Sequence, residues 1–503
     1  MTQPTISFSA QPSASCTLEY CLSFIEGSLG SVLQVPVPPA QLQSLLGAIR
    51  LDSRLIEKGD VFVAFAGGQV DGHEFIEMAV ERGAGLIVVH DQWRANPKVK
   101  DTISKCEVPV LETADQVALM AQLATAYRSA FAKVPFIAIT GSVGKTTVKN
   151  CIGHILNKYS KTLVTSKSQN NHLGVPMTLS RLQPDIELGV AELGANHVGE
   201  INAGASLVKP CVSVLTCVNA AHIEGFGSLK QTAKAKSEIF DHLVAGGIAV
   251  LNRDDQFFEQ WRDGLSEKTN WISFGLSDEA DLQLLDNGSL VFHERLVQFG
   301  VPIRQIETPI HIKIPLLGRH NQFNAMIAIT AIVALIVQTK PQWQGQFYDN
   351  IANVLSDAPT EPGRLAQSAL NDYTQLIDDT WNATPDAVAS SLMVLGEQTG
   401  PRWFVFGGMA ELGEHCQAAH EQVGLLAAKV EVDQFWAYGT DAAFAAEVFA
   451  KNRHAPIACF QTHETMQAAL LAAVLHEKPA CVLVKGSRSR KMERQVQYLQ
   501  SQI

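Results

Sequence analysis

Ten residues, AITGSVGKTT at 138–147, carry the plainest chemistry in the sequence. Gly141, Ser142, Val143 and Gly144 can turn the backbone so that successive N–H groups face inward. Lys145, Thr146 and Thr147 would then open a helix, whose N-terminus carries partial positive charge. Lys145 has the reach for terminal phosphates, and the Thr146 hydroxyl suits Mg2+. The common phosphate loop reads G-x-x-x-x-G-K-[ST]; its first glycine would fall at 139, where this chain has Ile139. An ordinary strand–turn–helix with a surface lysine would also fit these letters, so other residues must decide.

Three candidates stand further along. Glu192, in AELGANHVGE, ends the strand-like run IELGVAEL, and His222, in NAAHIEG, follows the run CVSVLTCV. In an open parallel sheet the carboxyl ends of strands line the ligand crevice, so both groups are placed to help hold a cation. Each taken singly also fits a solvated or core residue. Lys236 lies in TAKAKSEIF. Residues two apart on a helix point in different directions, so Lys234 and Lys236 cannot share a face, and one of them is expected to look inward. A snorkelling surface lysine is the alternative.

The elements that must position these groups read as α/β throughout. Residues 1–132 hold the runs GDVFVAFAG and GLIVVH around a helical stretch at 73–84, with the polar turn LDSR before them. Residues 133–357 open on the buried strand VPFIAIT and alternate strands with helices, which signals a mostly parallel sheet. Residues 271–315 read as an antiparallel patch, and GRHNQFNAMIAITAIVALIV at 318–337 as a long apolar helix. Residues 358–503 open in DAPTEPGRL, where two prolines and a glycine mark a joint, and form another alternating α/β sheet. Three domains are expected. The first fifteen or so residues match no pattern and read as a disordered extension.

Composition narrows the class. The chain has 503 residues, 46% hydrophobic and 18% charged, with net charge −11. That argues against a nucleic-acid partner, which would want basic stripes. The apolar run Ala325–Val337 is too short to span a bilayer, so no integral membrane segment is expected. Nine scattered cysteines without C-x-x-C or zinc spacing fit reduced thiols in a cytoplasmic protein.

TGSVGKTT, AELGANHVGEI, NAAHIEGFGSLKQTAKAKSEIF, GRHNQFNAMIA, PGRL, DDTWNATPDAV, GGMAELGEHC and VKGSRSRKME together resemble the Mur ligases of peptidoglycan synthesis. Among these, the branch that adds D-alanyl-D-alanine is the most similar. That family's loop reads T-G-x-x-G-K-T, without the early glycine. The resemblance implies an N-terminal UDP-binding α/β domain, a central P-loop ATPase-like parallel-sheet domain and a C-terminal Rossmann-like domain. It implies that ATP activates the carboxylate of a UDP-N-acetylmuramoyl-tripeptide as an acyl phosphate, which the amine of D-alanyl-D-alanine attacks. It further implies that Thr146, Glu192, His222 and Lys236, the last as a CO2-derived carbamate, hold Mg2+. Gly141 to Thr147, Asn321, Asn324, Arg364, Asp379 and Asn382 would face ATP, and Ser53, Arg54, Asn170 and Asn171 the nucleotide-peptide. A monomer is expected.

The chain departs from that pattern at Trp381, where Tyr is more usual, at Thr384, where Asn is, and at Gly408, where Asp is. A sister ligase adding diaminopimelate or lysine would be expected to carry an N-P-R motif, which this sequence lacks. A phosphate-loop ATPase that makes no bond is the rival from another class.

Overall fold

The computed structural model describes residues 16–25, 32–33, 39–67, 70–219, 226, 228–303 and 308–503. Its strands form three sheets, of five, nine and six strands. By internal contacts the chain makes two compact units: residues 1–311 with 324–351, and residues 312–323 with 352–503.

The first unit contains two sheets. In the first, β1 (Val32–Leu33), β2 (Ile49–Arg50), β3 (Val61–Ala64), β4 (Leu86–His90) and β5 (Val110–Thr113) run in the order β1-β5-β4-β3-β2. All neighbours are parallel except β1 and β5. β3 is buried along its length, as β-branched strands covered on both faces require. The helix α1 (Gln116–Ala130) leads out of this sheet. Its buried Arg128 donates from Nε to Val208 O (2.7 Å) and from Nη1 to Phe131 O (2.7 Å). One guanidinium thus ties the exit helix to a helix end of the second sheet.

The second sheet is built around β6 (Phe136–Thr140), all five residues buried. The chain passes through α2 (Lys145–Asn157) to β7 (Thr162–Val164), then through the short helix α3 (Gly174–Leu179) to β8 (Leu188–Glu192). It then crosses β6 to form β9 (Val212–Leu215), so β6 lies between β8 and β9. That reversal is a topological switch point, and it opens a crevice at the carboxyl end of β6. β10 (Ile248–Asn252), β11 (Asn270–Gly275) and β12 (Leu282–Leu284) continue the parallel run. β13 (Ser289–Phe292) and β14 (Ile310–His311) add antiparallel pairs. The expected antiparallel patch over 271–315 is therefore confined to 282–311. The reason is visible in the pairing: β11 is bound on both sides by parallel partners and belongs to the main sheet.

The helix that carries Lys236 is α4 (Leu229–Ser237), followed by a 3-10 turn at Glu238–Phe240. The apolar run read as Ala325–Val337 is the middle of α5 (Arg319–Thr339). At 21 residues this helix has the length and composition of a membrane span, and 72% of its most apolar window is buried inside the protein. It is a core helix among the described residues.

The second unit carries β15 (Ala366–Ala369), β16 (Gln375–Asp379), β17 (Arg402–Phe406), β18 (Gln434–Tyr438), β19 (Ile457–Phe460) and β20 (Cys481–Lys485). Their order is β15-β16-β20-β17-β18-β19, parallel apart from β15. All nine cysteines are unpaired.

Candidate functional site

The loop after β6 has the form its glycines demand. Gly141 stands at φ +148° and Gly144 at φ +83°. A Cβ on Gly141 would lie 1.9 Å from Thr216 Oγ1, and one on Gly144 would lie 2.5 Å from Asn324 Oδ1. Both positions therefore exclude a side chain, by conformation and by contact. The loop is pinned to the strand beside it. Ser142 N donates to Cys217 O (2.8 Å), Thr216 Oγ1 to Val143 O (2.6 Å), and Thr140 Oγ1 to Leu193 O (2.8 Å). Gly144 caps α2 without a side-chain acceptor. Lys145 folds back, its Nζ donating to Gly141 O (2.8 Å) and Ser142 O (3.3 Å). Its ammonium thus rests over the loop rather than out in solvent.

Register brings the carboxylate alongside. Ile139 of β6 pairs with Glu192 of β8. Glu192 is 1% exposed. Its Oε1 accepts from Thr146 Oγ1 (3.2 Å) and Asn170 Nδ2 (2.7 Å), and its backbone N donates to Thr165 Oγ1 (3.1 Å). Its Oε2 is buried and takes no hydrogen bond among the described residues; Lys149 Nζ stands 3.6 Å away. A carboxylate oxygen of that kind, beside a threonine hydroxyl, is a hard-oxygen donor set suited to Mg2+. His222 lies outside the described residues. Among those described, no three His, Cys, Asp or Glu side chains cluster as a metal site.

Of Lys234 and Lys236 on α4, the first is exposed and the second is 2% exposed. Burial lowers the Lys236 pKa to about 7, with the positive charge of Lys145 adding to the effect. Its Nζ lies 5.6 Å from the centre of the Phe226 ring. An amine that is half neutral near pH 7 can act as a nucleophile toward CO2, which an ordinary lysine cannot do at that pH. The inward lysine expected from the helix pattern is therefore Lys236.

The other expected residues separate into groups. Asn170 reaches Glu192, while Asn171 uses its Oδ1 to accept from Leu173 N (3.2 Å) and Gly174 N (3.0 Å), starting α3. Asn324 sits against Gly144, and Asn321 donates to Leu317 O (2.8 Å). Ser53 and Arg54 follow β2 in the first sheet. Ser53 is buried with its Oγ 3.3 Å from Met78 Sδ, and Arg54 is exposed and pairs with Asp52 through two contacts (2.9 and 2.7 Å).

In the second unit, Asp379 accepts from Ser391 Oγ (2.5 Å) and pairs with buried Lys485, which also donates to Asn382 O (3.1 Å). Arg364 and Arg488 lie 5.3 and 5.2 Å from the Trp381 ring centre. Trp381 thus occupies its position as a platform for cations, a task that its indole performs at least as well as a phenol.

Several contributors were not singled out in the sequence: Lys149, Thr165, Asp255, Ser391 and Lys485. Asp255 accepts from Val218 N (2.8 Å) and fixes the backbone after β9. Lys485 did carry a signal, since it closes the otherwise apolar buried strand CVLVK.

The groups gathered around the loop are hydrogen-bond donors, cations and one aimed carboxylate. They are the means of holding a polyphosphate and stabilising its transfer by position and charge, and they define a phosphate-loop enzyme that uses ATP. Models of the Mur ligase family match three stretches: the family's catalytic domain at 46–128, the Mur ligase middle domain at 139–332, and the glutamate ligase domain at 363–488. The UDP-N-acetylmuramoyl-tripeptide–D-alanyl-D-alanine ligase of Escherichia coli is 33% identical over 90% of this chain and 94% of its own length. That of Bacillus subtilis is 28% identical over 95% and 96%. A MurF crystal structure from Acinetobacter baumannii superposes with a TM-score of 0.78 at 28% identity, covering 98% of this chain and all of that one. MurF from Thermotoga maritima in complex with ADP gives 0.69 at 25% identity over 92% and 99%. The chain belongs to the Mur ligase family.

Proposed function

We propose that this chain joins D-alanyl-D-alanine to a UDP-N-acetylmuramoyl-tripeptide at the expense of ATP, forming an amide bond in peptidoglycan precursor synthesis. The similarity to D-alanyl-D-alanine-adding ligases over nine-tenths of the chain supports the substrate pair. The observation that carries the chemistry is the carboxylate Glu192 held against Thr146 at the start of the phosphate-loop helix.

A tripeptide carboxylate approaching a triphosphate meets strong repulsion, so cations must offset it. In our reading the loop N–H groups and Lys145 hold the terminal phosphates. Thr146, Glu192, His222 and Lys236 as a carbamate would hold Mg2+, which when bound neutralises charge on the phosphoryl and acyl oxygens. Lys236 takes up CO2 in its neutral form: the amine nitrogen forms the new C–N bond and releases a proton. Asn321 and Asn324 are assigned to the nucleotide, as are Arg364, Asp379 and Asn382. Ser53, Arg54, Asn170 and Asn171 are assigned to the UDP-linked substrate. The domains are taken as 1–132, 133–357 and 358–503, acting as a monomer in the cytoplasm.

The test is phosphate release. It should require both D-alanyl-D-alanine and the nucleotide-tripeptide, and assays with diaminopimelate- and lysine-containing tripeptides should identify the natural third residue. Steady ATP turnover with neither acceptor present would instead indicate a phosphate-loop ATPase. Addition of free diaminopimelate or lysine to a dipeptide precursor would indicate the sister ligase.

A further inference from the structure

Lys149 has no part in the reading above, yet it is 1% exposed. It lies on α2, one turn beyond Lys145. Burying an ammonium costs several kcal/mol unless it is well compensated, and a well-packed apolar residue is often no worse. A lysine kept at such a place needs a use. Its Nζ donates to Lys167 O (2.9 Å) and stands 3.6 Å from Glu192 Oε2. Lys167 has φ +48°, a left-handed conformation that a side chain disfavours. The segment 165–171 around it supplies Thr165 and Asn170, which hold the Glu192 backbone and Oε1. One buried ammonium therefore joins the phosphate-loop helix, the end of β8 and the strained turn after β7.

We propose that Lys149 is a positioning residue for the divalent cation. It holds Glu192 and the 165–171 segment in register with Thr146, so the carboxylate is aimed before the nucleotide arrives. Lys149 acts through Glu192, and the proposal rests on the reading of Glu192 as a cation ligand.

The test uses the full chain with Mn2+ as the probe ion, titrated by electron paramagnetic resonance in the presence of ADP. Lys149→Met should weaken Mn2+ binding by roughly ten-fold or more, the usual cost of losing a group that orients a metal ligand. ADP affinity measured in EDTA should stay within about two-fold, because the loop N–H groups are untouched. Lys149→Gln, which keeps a donor for Lys167 O but loses the charge, should fall between. In steady state kcat should drop more than the KM for ATP. Mn2+ affinity within about two-fold of the parent in both variants would overturn the proposal, however far the melting temperature falls. So would an equal loss of Mn2+ and EDTA–ADP binding. If Lys149→Met does not fold, Lys149→Gln carries the comparison. The double variant Lys149→Met/Glu192→Gln must then recover melting temperature, since no charge is left stranded; no recovery refutes the pairing. A parent enzyme that binds Mn2+ normally but does not ligate would sink the functional reading alone.

Discussion

Replacing Lys236 by methionine should stabilise the protein, and by an amount that depends on pH. In the folded chain its pKa lies at about 7 against an ordinary 10.5, chiefly because of burial. Between those values the unfolded chain binds more protons than the folded one, so stability rises with pH through this window. Below pH 7 both forms are protonated and the burial penalty is fully felt. A fall from 10.5 to about 7 corresponds to about 5 kcal/mol at that limit. The same two values leave about 4 kcal/mol at pH 7, about 2 at pH 9 and under about 1 at pH 10. Relaxation and water entry can halve these figures. The assay is reversible chemical unfolding of parent and Lys236→Met in CO2-free buffer at pH 7 and pH 10. Other groups that titrate at pH 10 do so in both proteins and cancel in the difference. The variant should be more stable at pH 7 by at least about 2 kcal/mol, with the gap closing by pH 10. A gap independent of pH would show that Lys236 is not held near neutrality, and would remove the basis for a carbamate.

Further outcomes follow from other contacts. Gly144→Ala should cost about 1–2 kcal/mol in unfolding experiments from its φ of +83° alone, and should abolish tight ADP binding by calorimetry. Adding Asn324→Ala should recover only the part due to the 2.5 Å contact. Arg128→Met should lower stability by roughly 3 kcal/mol, because it strands the carbonyls of Val208 and Phe131 inside the protein; urea unfolding measures this. Glu192→Gln should leave ADP binding in EDTA near the parent value while Mg2+-dependent ligation falls by at least about a hundred-fold, read by phosphate release.

The sequence disclosed the site where backbone geometry and chemistry coincide. Gly141 and Gly144 are legible because only glycine meets both the dihedral and the contact. Glu192 is legible because strand ends in a parallel sheet face the crevice, and the register with Ile139 puts it there. Helical spacing alone does not choose between Lys234 and Lys236, and only packing decides that Lys234 is the exposed one. Lys149 is not legible in the sequence, because a lysine one turn into a helix is usually solvated. Its use depends on Lys167 O and Glu192 Oε2, which are 18 and 43 positions further along the chain. The antiparallel patch is shorter than its letters suggest for a related reason. Alternation reports that a strand is half-buried, whereas the direction of its neighbours is fixed by long-range pairing.

Electrostatics gives these observations one logic. Lys145 raises the cost of charge on Lys236, and Lys149 is balanced by Glu192. Among the described residues, the charges of Lys145 and Lys236 thus oppose each other beside the loop. Such an arrangement opposes folding and favours a polyanion, so part of the free energy of nucleotide binding is the relief of repulsion already stored there. Turning Lys236 into a carbamate would reverse its sign, relieve Lys145 and add an oxygen donor in one step. The same modification that would complete the proposed cation site would also remove the burial penalty of the amine. On this argument CO2 and nucleotide should each stabilise the folded chain, and the two effects should be coupled through Lys145.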